Sequence, residues 1–424
     1  MRVLFLAVNR ETIAMPTLPL GLACVATATE RAGHQVKLLN LTSEEGSDEF
    51  LGKVIGAFRP DIIALSVRNI DDQARIDTRF LLDQVRDVVM FCRTVTPVPL
   101  ILGGAGYSMY PESVLAYLKA DMGIKGEGER ALPALLEQIA SGGDISAVPG
   151  LYLPGTGTKV EHHFVKDLDE CGFPDEHLWI PPALIDQDIW IPLQTRRGCP
   201  MNCSYCSTPS IEGVLRREHS PEAVVDAVVR YAKAGFDKFY FTDNTFNIPS
   251  SYAAELCHRL GASGVELSWM CIVYPGDMDE SLIRDMARAG CREVTLGFES
   301  GSAYMLKKMN KRFTLSQVRR TSALLEKYGI RQMGCLLLGG PGETKSSVEE
   351  TLAFTDSLPL TSVKVTSGIR IYPHTALARK AFDEGRVAPD DDLLYPRFYL
   401  AEGLENWLDE TLRAWMDKRP HWSL

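Results

Sequence analysis

Residues 191–209 read Ile191-Pro192-Leu193-Gln194-Thr195-Arg196-Arg197-Gly198-Cys199-Pro200-Met201-Asn202-Cys203-Ser204-Tyr205-Cys206-Ser207-Thr208-Pro209. The short apolar run Ile191–Thr195 predicts a buried strand, and three cysteines in the spacing Cys-x3-Cys-x2-Cys follow it directly. Three thiolates this close can point inward on one loop and bind three irons of a cubane 4Fe–4S cluster, so the candidate metal ligands are Cys199, Cys203 and Cys206. The fourth iron then lacks a protein ligand and is open to a small molecule, whereas a purely structural cluster would take a fourth cysteine. Zinc sites pair two Cys knuckles, or a Cys pair with a His pair. Neither kind of partner follows here.

Working outward, strand-like runs recur at Phe239–Thr242, Leu267–Ile272, Glu293–Phe298, Arg331–Leu338 and Ser362–Ile371, with helical patterns between them. Six βα repeats over 191–375 predict a partial (β/α)6 barrel with its active residues at the strand C-termini. Residues 376–424 read as a short mixed C-terminal region ending in an amphipathic helix around Leu404–Asp417. On the other side, residues 1–140 alternate strands with helices. The strands are Val3–Val8, Val36–Leu41, Asp61–Val67, Pro99–Leu102 and Met122–Ile124, and a helix over Pro19–Ala32 is closed by Gly33. That alternation predicts an α/β, doubly wound, Rossmann-like domain whose ligand lies beyond the carboxyl ends of the strands. Residues 141–190, punctuated by Gly142-Gly143, Pro149-Gly150 and Pro181-Pro182, read as a linker.

The bulk composition bounds the class of protein. The 424 residues are 45% hydrophobic and 24% charged, as in a globular protein of two or three domains. Lys plus Arg number 45 against 55 Asp plus Glu, a net charge of −10, which disfavours a nucleic-acid partner. The apolar start breaks at Asn9-Arg10-Glu11, and no stretch approaches the roughly 18 uninterrupted apolar residues of a membrane span. A cytoplasmic protein with no membrane association is expected. Ten cysteines in such a chain point to metal ligation, catalysis or burial rather than to disulfides.

The cysteine segment, with Tyr205 just before the third cysteine, resembles the radical S-adenosylmethionine enzymes. The resemblance implies that the open iron is chelated by the methionine part of S-adenosylmethionine, and that one electron splits the sulfonium to give a 5′-deoxyadenosyl radical. It also implies an electron donor such as a ferredoxin or flavodoxin, and anaerobic behaviour. Tyr205 would contact the adenine, or serve as a packing ring. Asp243 and Asn244, after the second strand, occupy the place where the family holds the methionine ammonium; a helix N-cap is the alternative there. Glu299 and Ser300 end the fourth strand and could meet the ribose hydroxyls. Gly339 and Gly340 end the fifth and would let backbone approach the adenine, and Arg370 ends the sixth. Tyr372 and Arg397 are candidates to face the substrate or to pack.

The first domain resembles the cobalamin-binding domain of one branch of that family. The matching residues are Thr17, Leu18 and Leu20; Ser66, Arg68 and Asn69; Gly103, Gly104 and Ala105; and Gly126, Glu127 and Gly128. Glycines at sheet ends suit a flat corrin, but equally a dinucleotide. No Gly-x-Gly-x-x-Gly follows the first strand. The Asp-x-His-x-x-Gly of mutases is also missing, so no histidine is expected below the cobalt. The resemblance therefore implies a cobalamin-dependent (class B) radical S-adenosylmethionine C-methyltransferase, using methylcobalamin to methylate an unactivated sp3 carbon. Length and the segment Ser66–Asp72 resemble enzymes that methylate a glutamine of methyl-coenzyme M reductase, making a protein or peptide a candidate substrate. Alternatives are a small natural product or lipid, a cyclisation or rearrangement, and a non-enzymatic sensor.

Overall fold

The computed structural model describes residues 1–9, 18–42, 47–181, 189–276 and 278–424. The chain forms two compact units. The first holds Met1–Asp72, Arg79–Ile189 and Ser210–Gly213; the second holds Gln73–Thr78, Trp190–Pro209 and Val214–Leu424.

The first unit is built on a sheet of β1 (Arg2–Ala7), β2 (Gln35–Asn40), β3 (Ile62–Ser66), β4 (Leu100–Gly103), β5 (Met122–Ile124) and β6 (Leu151–Tyr152), in the order β2-β1-β3-β4-β5-β6. The first five are parallel. A parallel sheet needs cover on both faces; Val3, Leu4, Phe5 and Leu6 are accordingly all fully buried, without alternation. The edge strand β2 instead alternates between exposed and half-buried positions over Gln35–Leu38 and buries only Leu39. Because β2 and β3 flank β1, the strand order reverses there, and the residues after β1 and β3 border the switch-point crevice where doubly wound sheets hold ligands.

The stretch expected as a linker belongs to this unit. β6 pairs antiparallel with β5, and Val148, Leu151, Val165, Leu168, Trp179 and Ile180 are buried. Arg31 donates to the Cys171 carbonyl at 2.9 Å. These apolar residues bury one at a time between Pro and Gly turns, so they carry no periodicity for a sequence reading to detect.

The second unit carries β7 (Ile191–Leu193), β8 (Arg196–Arg197), β9 (Arg217–Glu218), β10 (Lys238–Phe241), β11 (Ser268–Val273), β12 (Cys291–Glu299), β13 (Arg331–Leu338), β14 (Ser362–Ser367), β15 (Ile369–Arg370), β16 (Phe398–Tyr399) and β17 (Trp422–Ser423). Seven of these form a sheet in the order β17-β14-β13-β12-β11-β10-β7. Its pairings are parallel throughout. Strand order follows chain order from β7 to β14, as in a (β/α) barrel, but β7 and β17 stand at opposite edges and the sheet stays open. β17 comes from the last residues of the chain, too short a strand to show in the pattern. The run Ser362–Ile371 is not one strand: at Gly368 φ is +78°, and β15 turns away to pair with β16. Strands alternate buried and half-buried residues, as in β13, and Trp269 packs fully buried between Phe241 and Phe246.

Candidate active site

The cysteine loop leaves the sheet after β7 and is held from several directions. Gly198 and Asn202 turn it with φ of +88° and +54°. Ser204 N donates to the Met309 carbonyl at 3.1 Å and its own carbonyl accepts Leu377 N at 2.9 Å. Asn310 Nδ2 donates to the Asn202 carbonyl at 2.7 Å. Cys199, Cys203 and Cys206 are half-buried and form no disulfide. Thr208 Oγ1 lies 3.3 Å from Cys206 Sγ and 3.4 Å from Asn244 Oδ1. Among the described residues no three His, Cys, Asp or Glu side chains gather around one point as for a single metal ion. A cubane asks for something wider, since each thiolate takes a different iron corner. Burial pushes the Cys203 thiol up, while the charge of Lys311 pulls it back toward the thiolate that iron requires. The donor set fits a cluster.

The fourth strand of the series, β12, contributes Glu299. The register against β13 shifts between Leu296 and Glu299, and Glu299 has φ of +64°. A bulge re-aims a side chain, and a left-handed glutamate costs on the order of 1–3 kcal/mol, a strain typical of functional positions. Glu299 Oε1 accepts Tyr205 OH at 3.0 Å and Lys311 Nζ at 3.2 Å. Tyr205 thus stays pinned at the loop, its hydroxyl pushed far up by burial and by Glu299. Lys311 also donates to the Gly297 carbonyl at 3.3 Å.

Several strand ends serve the fold rather than a ligand. The sequence predicts that Asp243 holds an ammonium. Its carboxylate instead accepts five hydrogen bonds: Thr195 N (2.7 Å), Thr195 Oγ1 (2.5 Å), Arg196 N (3.0 Å), Arg196 Nε (3.2 Å) and Arg196 Nη2 (2.9 Å). A carboxylate has about four lone-pair sites, so none is left over. Asn244 is the residue at that strand end that meets the cysteine loop, through Thr208. Ser300 is fully buried, with its hydroxyl 2.9 Å from that of Thr351. The amides of Gly339 and Gly340 both donate to Glu343 Oε2. A Cβ on Gly339 would lie 2.7 Å from Leu400 and 3.3 Å from the Gly368 backbone, so that glycine permits close approach of the segments that follow β13, β14 and β16. Arg370 is buried and donates to the carbonyls of Ile371, Leu393 and Leu394, fastening the C-terminal region. Arg397 bonds Asp391 at 2.9 Å, and Tyr372 packs under Arg370 with the guanidinium 5.1 Å from its ring centroid.

In the first unit, Asn9 closes the switch point: its Oδ1 accepts Arg68 N at 2.8 Å and Asn69 N at 3.2 Å. Beside it, a Cβ on Gly103 would meet only the Ile124 carbonyl, at 3.9 Å, leaving open space over the strand end. Gly104 has φ of +100°, and a Cβ there would fall 2.6 Å from the Val67 carbonyl, next to Ser66 Oγ. The backbone at Arg68 and Asn69, with Ser66, Gly103, Gly104 and Ala105, therefore lines one crevice, which fits a broad flat ligand such as a corrin. The loop after β5 does other work. Gly126 makes room for the His162 ring and Gly128 for Val25, while Glu127 accepts Val165 N at 2.6 Å. Leu18 is buried and its carbonyl accepts Leu20 N; Thr17 lies outside the described residues.

The sequence places Asn9 and Glu343 only in segments that follow strands, and nothing in it singles out Thr208 or Lys311. A lone Asn or Glu near a strand end was the only available signal, since their partners lie far away in the chain. His162 also went unremarked because it sits in the supposed linker.

Residues 6–136 match the family model of the B12 binding domain, and residues 193–355 that of the radical SAM superfamily. An uncharacterised methyltransferase of Pyrococcus horikoshii is 27% identical over 369 residues, covering 85% of this chain and 77% of its own length. The tryptophan 2-C-methyltransferase of Streptomyces laurentii is 23% identical over 443 residues, 89% of this chain and 74% of its own. The radical S-adenosylmethionine methyltransferase structure from Kitasatospora setae, with cobalamin and a [4Fe-4S] cluster bound, superposes with a TM-score of 0.87. It covers 100% of this chain and 92% of that one at 21% identity, a likeness of fold. No described helix is long and apolar enough to cross a membrane.

Proposed function

We propose that this chain, which belongs to the cobalamin-dependent radical S-adenosylmethionine methyltransferases, transfers a methyl group to an unactivated sp3 carbon of its acceptor. The observation that carries the proposal is the three-cysteine loop at the end of the first strand of a sequentially ordered parallel sheet. When bound, the cluster and S-adenosylmethionine supply one-electron cleavage of a sulfonium, and cobalamin supplies a methyl carrier. The chain's own part is to position and shelter. Cys199, Cys203 and Cys206 hold the cluster. Tyr205, fixed by Glu299, gives the adenosyl group an aromatic wall. Asn244 and Thr208 offer amide and hydroxyl groups beside Cys206 for the polar end of the methionine moiety. Ser66, Gly103 and Gly104 take the corrin.

Radical coupling at carbon needs no general base, and none is assigned. A ferredoxin- or flavodoxin-type protein would deliver the electron. The acceptor favoured here is a small organic molecule, the class to which tryptophan belongs in the Streptomyces relative's name. A protein residue such as a methyl-coenzyme M reductase glutamine, suggested by the Ser66–Asp72 resemblance, is the competing acceptor.

Anaerobic reconstitution with iron, sulfide and cobalamin, followed by turnover with each acceptor class, tests this. Formation of both 5′-deoxyadenosine and S-adenosylhomocysteine is expected, with a methylated product of one class. Deoxyadenosine alone would redirect the assignment to rearrangement, and absence of both products from a chain with a full cluster would overturn it. Cys203→Ser is expected to lose the cluster's visible absorbance and both products.

A further inference from the structure

The turn after the helix Ala303–Lys308 clamps the cysteine loop along its length. Met309 takes Ser204 N through its carbonyl, Asn310 donates to the Asn202 carbonyl, and the Lys311 ammonium stands 5.5 Å from the centroid of the Tyr205 ring. Three consecutive residues thus touch positions 202, 204 and 205, on both sides of Cys203. The Lys311 side chain is only 5% exposed. It is enclosed by Tyr205, by Tyr274 and Phe313 with ring centroids 6.0 Å away, and by the Gly297 carbonyl. Its counter-charge is Glu299, on the strained bulge of β12.

Burying a lysine is expensive. The Glu299 carboxylate at 3.2 Å and the Gly297 carbonyl at 3.3 Å compensate the ammonium, so it stays charged. The pair is also held at the loop: Glu299 Oε1 bonds both Tyr205 OH and Lys311 Nζ, and the adjacent Asn310 grips the Asn202 carbonyl.

We propose that Lys311 is a positioning residue for electron entry. Resting on the cluster assignment above, its fixed buried charge raises the reduction potential of the cluster held by Cys199, Cys203 and Cys206, and Glu299 keeps that charge aimed at the loop. One-electron reduction adds a negative charge to the cluster. A cation held at fixed distance in a low-dielectric pocket favours the reduced state, and an electron from dithionite in vitro completes the balance.

The test is a redox titration of the full, reconstituted chain without S-adenosylmethionine, following the reduced cluster by electron paramagnetic resonance, with iron per chain measured for every variant. Lys311→Met is expected to lower the reduced-to-oxidised ratio at a given potential at least tenfold, a midpoint shift of about 59 mV toward negative values. Lys311→Arg is expected to stay within a factor of three of the parent. Glu299→Gln is expected to move the midpoint the opposite way, because the cation loses its counter-charge. If Lys311→Met does not retain iron, the signed shift in Glu299→Gln still decides. An unmoved midpoint in a cluster-replete variant overturns the proposal. So does a Glu299→Gln shift in the same direction as Lys311→Met, which would mean loop distortion, or weakened S-adenosylmethionine binding with an unchanged midpoint. A parent chain that binds no cluster would instead sink the functional assignment itself.

Discussion

At the carboxyl ends of the first sheet, Asn9, Ser66, Gly103 and Gly104 meet their neighbours through amides, a hydroxyl and carbonyls. At the corresponding ends of the second sheet the contacts are between full charges: Arg196 with Asp243, Lys311 with Glu299, and Arg75 with Asp409. The Arg196–Asp243 side chains are 3% and 2% exposed, whereas in the Arg79–Asp72 pair of the first unit, in the segment after β3, the guanidinium side is 54% exposed and the carboxylate side 7%. The difference matches the ligands proposed for each sheet. A large cofactor that lies on backbone wants room and few fixed charges. A cluster that changes its own charge, bound next to a zwitterionic sulfonium, wants charges that are already desolvated and cannot rearrange.

The comparison predicts a graded series of stability effects, measurable by chemical unfolding. The largest is Asp243→Ala, which strands a buried guanidinium and is expected to cost about 3–5 kcal/mol; a loss under about 1 kcal/mol would break the comparison. Next is the pH response of Glu343, whose burial pushes its carboxyl from 4.5 up to about 7. Its folded-state pKa is raised, so its stabilising contribution is complete below the unfolded value and is lost as pH rises through the folded one. Relative to Glu343→Gln, the parent is therefore expected to lose about 1.4 kcal/mol per unit between roughly pH 5 and pH 7. A flat difference between the two profiles would refute it. Gly104→Ala, which drives a methyl onto the Val67 carbonyl at positive φ, is expected to cost about 1–3 kcal/mol. It should also weaken cobalamin retention while leaving iron content unchanged. The smallest effect is Lys53→Ala at the exposed Glu49–Lys53 pair, expected within about 0.5 kcal/mol; anything larger would show that surface charge in the first unit matters more than argued.

What could be read from sequence was what repeats or sits close in the chain. The three cysteines declare themselves by spacing, and buried strands such as Val3–Leu6 by apolar runs. Roles that depend on a distant partner stayed hidden. Asp243 looks available until Arg196 and Thr195, nearly fifty positions earlier, are seen to claim every lone pair. Arg370 reads as a ligand-facing cation until the carbonyls of Leu393 and Leu394 fold back onto it. Lys311, in a run of basic residues after a short helix, has the look of a solvated surface lysine, and only the bulge at Glu299 reveals a burial site for it. The segment from Val148 to Ile180 packs without a period, so its burial has no signature that a pattern argument could use.

The clamp on the cysteine loop has a consequence for how the protein is made. Asn310 is synthesised 108 positions after Asn202, and Leu377 later still. At about 5–20 residues per second, the three thiols leave the ribosome at least several seconds before the turn that shelters them exists. During that interval they are open to oxidation and to mismatched metals. Loading of the cluster therefore belongs to the end of biosynthesis, and growth conditions that slow translation through residues 207–377 should penalise the metallated yield rather than the amount of polypeptide.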